Sequence, residues 1–208
     1  GNKFLSHIRE VDAIIHLVRC FESDKITHVN SKINPLDDLE TIKTEIILSD
    51  LDIVQKKLEK GKKKLLEEKE VKILEDKLSQ LNDGKEVVPN NKEEEKFLTT
   101  LGLLSIKPKI IVCNVDEESL AKGNSYTESV KKNYSEEKVV TICADIEDQI
   151  MGLDNDERET FMKEIGLNKT GLNQLIKEGY ELLNLDTFFT SGPEESRAWT
   201  IEKNTPAP

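Results

Sequence analysis

Three short runs of almost uninterrupted apolar residues decide most of what this chain can fold into. The first lies within residues 12–21 and carries Ile14, Ile15, Leu17 and Val18. The second is 109–113, with Ile110, Ile111 and Val112, and the third is 139–143, with Val139, Val140 and Ile142. Each has the length of a strand and too few polar interruptions to keep one face in water. Each therefore reads as a strand covered on both faces, as in a parallel sheet. The stretch 118–135 between the second and third runs is helix-like. Strand, helix and strand in that order predict an α/β layer.

Between the first and second runs the period changes. From Pro35 to about Lys64 the apolar positions Leu39, Ile42, Ile46, Leu51, Val54 and Leu58 recur mostly at three- and four-residue steps. After Gly61 and a group of lysines the pattern resumes at Val71, Leu74, Leu78 and Leu81 and stops at Gly84. Each half is amphipathic and too polar to be buried all round. Two helices folded back as an antiparallel coiled-coil hairpin satisfy this pattern, and one long solvated helix is the alternative. The break at Gly61 and the need to return to the sheet favour the hairpin. Pro35, followed by Asp37, Asp38 and Glu40, suits the positive start of a helix.

The remaining elements are shorter. A helix is expected over 3–10, another over 92–102, and two more near 155–165 and 171–183. Strands are expected at 187–190 and 197–201, joined through Ser191, Gly192 and Pro193. A composition shift near Leu185 marks a boundary. The reading is three parts: 1–35 with 103–184, a helical insertion at 36–102, and 185–208.

Composition removes several function classes. The net charge of -11 argues against a dedicated nucleic-acid-binding domain. Cys20, Cys113 and Cys143 are odd in number and lie far apart, so reduced, buried thiols are expected, with no disulfide framework or zinc site. His7, His16 and His28 have no metal-ligand spacing. No apolar run approaches the ~18 residues of a membrane span, and no signal peptide opens the chain. A cytoplasmic protein is expected. The chain begins at Gly1 without Met and closes at Pro208 just after a strand-like run, and so reads as cut at both ends.

The residues with most chemical content are Asn114, Val115, Asp116 and Glu117, directly after the second strand. In open parallel sheets ligands bind beyond the carboxyl ends of the strands. An Asn amide both donates and accepts and can pair with a purine edge, whereas an ionised carboxylate only accepts. Taken alone the spacing is common, and a strand-end turn with a helix cap is the plain alternative. Cys143, Ala144 and Asp145 form the turn after the third strand, with polar residues following, and small residues there would let a flat base approach.

Taken together these segments resemble one family. Residues 1–12 resemble the stretch that follows switch II in YchF-type (Obg-like) P-loop ATPases, and 12–21 continue it. The expected hairpin resembles the family's coiled-coil insertion. Asn114 to Glu117 resemble its Asn-x-x-Glu, which stands where related GTPases carry Asn-Lys-x-Asp. Residues 188–193 and 197–201 resemble the opening of its TGS domain, a β-grasp-like module. The resemblance implies a fold class of α/β type: part of a P-loop NTPase (Ras-like G-domain) sheet with the inserted hairpin and the start of the TGS domain. It implies binding and hydrolysis of ATP with Mg²⁺, ATP preferred over GTP, by a protein associated with the ribosome or ribosomal RNA; the sequence leaves the oligomeric state open, with a monomer expected. Asn114 would contact the base, the Val115 backbone would read the adenine edge, Glu117 would help define the pocket, and Cys143 and Ala144 would form its wall.

No Gly-x-x-x-x-Gly-Lys-Ser/Thr occurs in these 208 residues. Phosphoryl transfer rests on that loop, its Lys and Mg²⁺. The Mg²⁺ ligands are expected upstream of Gly1, and the chain alone is expected to be inactive. Lys56, Lys57, Lys60, Lys62, Lys63 and Lys64 read either as solvated helix surface or as a contact for ribosomal RNA. Three functions therefore stay open: a regulatory ATPase, a nucleotide-responsive ribosome- or RNA-binding module without significant turnover, and a coiled-coil adaptor.

Overall fold

A computed structural model describes residues 2–23, 32–61 and 66–206, with side chains from Leu5 onward. The chain divides into two compact units, residues 1–14 with 37–107 and residues 15–36 with 108–208.

The first unit is helical. It contains α1 (Asn2–Ile8), nearly all of α2 (Pro35–Gly61), α3 (Glu68–Asn82) and α4 (Lys92–Thr100). Asp37 and Asp38 occupy the first turn of α2, as the sequence predicts. Ile47, Val54 and Leu58 of α2 and Leu74 and Leu81 of α3 are buried in one apolar cluster. Their steps of three, four and seven residues place them on one stripe of each helix. The cluster also takes in Val87, Leu98 of α4 and Leu103. The segment leading back to the sheet, with the helix expected over 92–102, thus forms a third wall of this core.

Two charged residues lie within the same stripes. Asp50 and Lys77 are both fully buried. The Asp50 carboxylate accepts from the Leu104 and Ser105 amides at 2.8 and 2.9 Å and from the Ser105 hydroxyl. Lys77 pairs with Glu94 at 2.6 Å and donates to the Val88 carbonyl at 2.9 Å. Glu94 is itself only 4% exposed and accepts from the Asn90 amide at 3.0 Å.

The second unit carries the sheet. β1 (Ile14–Arg19), β2 (Lys109–Asn114) and β3 (Lys138–Ile142) lie in the order β1-β2-β3. β2 and β3 are parallel, registered from Ile110 opposite Lys138 to Asn114 opposite Ile142. Ile110 to Cys113 are all buried, which is the cover on both faces that the sequence predicts for this strand. β1 departs from that expectation, because Ile15 and Leu17 are 54% and 59% exposed on one face.

The stretch 118–135 is two helices rather than one, α5 (Glu117–Lys122) and α6 (Ser125–Asn133). Gly123 has φ 72°, a left-handed conformation that ends α5 and suits glycine. Asn124 then caps α6 by accepting from the Thr127 amide. α7 (Ala144–Met151) occupies a stretch the sequence reads only as a turn followed by polar residues. α8 (Asn155–Glu164) and α9 (Gly171–Leu182) fall where expected. Leu175 and Leu182 of α9 pack on the face formed by Ile110, Val112, Val140 and Ile142. The antiparallel pair β4 (Leu185–Ser191) and β5 (Ser196–Glu202) ends the unit. Nearly all its residues are exposed, among them Phe189 at 79%.

Breaking a buried ion pair from one side strands the other charge, at about 3–5 kcal/mol. Burial raises the Glu94 carboxyl, but the bonds from Lys77 and Asn90 outweigh it and hold it below the ordinary 4.5. Burial lowers Lys77, but Asp76 and Glu94 outweigh it and hold it above 10.5. A depressed carboxyl stabilises above its unfolded value and stops doing so as pH falls through its folded value. A raised ammonium stabilises below its unfolded value and stops as pH rises through its folded value. The pair therefore acts fully between those two ordinary values. Lys77 keeps Asp76 at 2.8 Å when Glu94 is neutralised, so in urea unfolding Glu94→Gln is expected to lose about 1–3 kcal/mol at pH 7, with the loss shrinking as the acid limb is reached. The double variant Lys77→Met, Glu94→Leu is expected to recover most of it.

Candidate functional site

The carboxyl ends of the three strands are laced together by the backbone. The Cys20 amide, just past β1, donates to the Asn114 carbonyl at 2.7 Å. The Val115 amide, just past β2, donates to the Ile142 carbonyl at 2.8 Å. Asn124, the cap of α6, adds a side-chain tie by donating through Nδ2 to the Cys20 carbonyl at 2.7 Å. Asn114, Val115, Cys143 and Ala144 are thereby brought to one edge.

Asn114 is the central side chain. Its Oδ1 accepts from the Ala144 amide at 3.0 Å, where α7 begins. A backbone N–H only donates, so the oxygen of the amide has to face Ala144 and the NH₂ faces the other way. Among the described residues that NH₂ has no acceptor. Val115 is buried at 2% exposure and its amide is engaged by the Ile142 carbonyl.

Asp116 and Glu117 separate into two roles. Asp116 is the N-cap of α5, its carboxylate accepting from the Ser119 amide at 2.9 Å. The plain helix-cap reading of this motif therefore applies to Asp116 and leaves Asn114 and Glu117 outside it. Glu117 opens α5 and is exposed. It lines an open pocket of about 520 Å³ with Glu118, Leu120, Ala121, Ile146, Glu164 and Ile165. Those walls come from α5, α7 and the end of α8 rather than from Asn114 or Ala144.

Cys143 is buried between β3 and α7. Burial pushes its thiol up, and the Asp145 and Glu117 carboxylates add to the rise, so it stays neutral at pH 7 and presents an apolar wall. Cys20 and Cys113 are likewise buried and not in disulfides. The start of α9 is held close to this region. The Gly171 amide donates to Glu147 of α7 at 2.6 Å, and a Cβ at Gly171 would stand 2.7 Å from the Ile142 side chain. Glycine is needed there for close approach.

Sequence reasoning missed Asn124 and the Glu147–Gly171 tie. The adjacent Gly123, Asn124 and Ser125 were a readable turn-and-cap signal for the first. A Glu–Gly pair 24 residues apart carries no local signal at all. The lysine group lies in the other unit. Lys56 is exposed and pairs with Asp52 at 2.6 Å, Lys57 is half-buried, and Lys60 is exposed in the last turn of α2. Lys62, Lys63 and Lys64 lie outside the described residues.

Comparison with known proteins gives a consistent match along the whole chain. Over 219 aligned residues it is 41% identical to the ribosome-binding ATPase YchF of Bacillus subtilis and 43% identical to that of Escherichia coli O157:H7. In both cases the match covers all of this chain and 60% of the relative. The solved structure of the Schizosaccharomyces pombe YchF GTPase matches with a TM-score of 0.86 at 30% identity, over all of this chain and 59% of that one. No protein-family model matches. The chain thus spans about 60% of the length of the relatives it matches.

The Asn114–Ala144 bond separates a structural from a ligand-binding use of the same side chain. Asn114→Ala is expected to lower the thermal stability of the chain by about 0.5–1.5 kcal/mol, the net worth of one hydrogen bond. Asn114→Asp keeps the acceptor and is expected to stay close to the parent in a melting experiment, although it removes the NH₂.

Proposed function

The chain belongs to the YchF family, and on that premise we propose that it supplies the purine-binding end of a ribosome-associated, cytoplasmic protein that binds and hydrolyses ATP in preference to GTP. The observation that carries this reading is the orientation of Asn114. Its NH₂ is left to donate at the sheet edge where α/β folds bind ligands. Both purines offer N7 as an acceptor, so Asn114 recognises a purine without choosing between adenine and guanine.

The choice falls to Val115 and Glu117. Guanine presents N1–H and the exocyclic amine as donors, which an Asp carboxylate at position 117 would accept. The longer Glu117 misplaces that acceptor. Adenine lacks both donors, so an Asp facing it would be left unsatisfied, at about 1–3 kcal/mol. The Val115 carbonyl accepts from the adenine amine, and Cys143 and Ala144 form the neutral wall against which the ring lies.

Hydrolysis is not assigned to residues of this chain. No phosphate-binding loop sequence occurs in it, and among the described residues no group of three His, Cys, Asp or Glu is arranged to hold a metal ion. The α2 and α3 helices form the family's coiled-coil arm, and β4 and β5 open its TGS module. Among the described residues no helix is long and apolar enough to cross a membrane.

The B. subtilis relative provides the frame for a test. A chimera carrying these 208 residues in place of the matching segment is expected to bind ATP more tightly than GTP. Glu117→Asp is expected to move that ratio towards GTP by about tenfold, the scale of one good bidentate base contact. An unchanged ratio would remove Glu117 from the pocket. The 208-residue chain by itself is expected to show no ATP turnover.

Lys56, Lys57 and Lys60 of α2, with Lys62, Lys63 and Lys64 that follow in sequence, provide the ribosome contact. Reversing Lys56, Lys57, Lys60, Lys62, Lys63 and Lys64 to Glu in that chimera is expected to weaken ribosome binding. The dependence of log affinity on log salt should flatten by roughly one unit for each phosphate that the lysines no longer neutralise. Undiminished ribosome pelleting would make the group solvated surface only.

A further inference from the structure

β3 is the last strand of its sheet, with β2 on one side. The Ile142 carbonyl points towards β2, where Val115 donates to it. Backbone groups of successive residues turn to opposite sides of a strand. Val139 and Thr141 therefore turn their N–H and C=O groups to the open edge. The same two residues line a groove of about 390 Å³ that does not include Asn114 or Ala144.

The groove is also lined by Lys122 from the end of α5, Lys131 from α6 and Lys169 from the turn before α9. All three are exposed. Among the described residues they form no ion pair, although the chain carries a net charge of -11. A single carboxylate, Glu128, shares the groove with them. Its floor holds a further unmet group, because the Thr141 hydroxyl is buried without a hydrogen-bond partner. β3 carries one lysine of its own, Lys138, which pairs with Glu178 at 2.8 Å.

We propose that the open edge of β3 binds an extended acidic peptide segment as an added strand. Its backbone pairs with Val139 and Thr141, and its carboxylates meet Lys122, Lys131 and Lys169. An edge of alternating donors and acceptors calls for a ligand that offers both in the same alternation, which an extended peptide does. A free phosphate or sulfate would meet the ammonium groups and the two amides but could not satisfy the two carbonyls. The lysines come from three separate elements around the strand, which fits charges distributed along a peptide better than one compact anion.

The test uses the 208-residue chain and a fluorescent six-residue probe of alternating Glu and Val, read by anisotropy. Binding is expected to weaken with salt. It is also expected to fall by about tenfold or more in the Lys122→Glu, Lys131→Glu, Lys169→Glu variant, whose fold is checked by circular dichroism. Probes N-methylated at alternate amides in the two possible registers, tested on the unaltered chain, decide the pairing. One register should abolish binding and the other should retain it. Equal tolerance of both registers overturns strand pairing. An equally tight complex with a Lys–Val probe overturns the charge argument. Displacement of the acidic probe by inorganic phosphate at low millimolar concentration reduces the groove to a small-anion site and overturns the peptide.

Discussion

Three strand ends have to finish level for a flat ring to meet them, and two backbone bonds impose that condition here. Cys20 donates to Asn114, and Val115 donates to Ile142. With those registers set, Ala144 arrives with its amide facing Asn114, and the orientation of the Asn114 amide follows without choice. A one-residue slip of β3 against β2 would turn every side chain of β3 to its other face. It would also carry Ala144 away from Asn114. The burial of Val112 and Val140 on one face under α9 makes such a slip expensive, so the core that stabilises the sheet also aims the amide.

The helical unit uses buried charge for a similar purpose. Asp50 and Lys77 sit in the stripes that face the apolar cluster, where aliphatic side chains would stabilise the helices more simply. Each instead binds a different part of the return segment: Asp50 the amides of Leu104 and Ser105, Lys77 the carbonyl of Val88 and the carboxylate of Glu94. Burial pushes the Asp50 carboxyl up against the bonds that favour its charged form. What these residues gain is a fixed path for residues 83–107, which apolar contacts alone would leave free to slide.

The apolar runs made β2 and β3 readable, because a strand buried on both faces has little freedom of composition. Other features lacked a local signal. α7 begins after Cys143, which makes no side-chain cap bond, so its start looked like a turn. Asp50 and Lys77 looked like surface charges because charge on an amphipathic helix usually is. Their phase was the available clue, since Asp50 is four residues from both Ile46 and Val54, and Lys77 lies between Leu74 and Leu81. Asn114 was legible as a candidate by residue type and place. The direction of its amide was not, because it depends on Ala144, thirty residues away.

The remaining step concerns why position 117 is Glu rather than Asp. A helix start favours a carboxylate of either length. α5 already has Asp116 as its cap and Glu118 in its first turn, so its stability does not call for the extra methylene of Glu117. Nor does packing, because Glu117 is exposed. Asn114 is constrained by Ala144, and in the proposed reading its contact is common to both purines. The length of residue 117 is then the feature of this edge that neither folding nor general purine recognition explains. Under the proposed reading the choice of base falls to that position, because neither the cap of α5 nor its packing fixes the length of the side chain there.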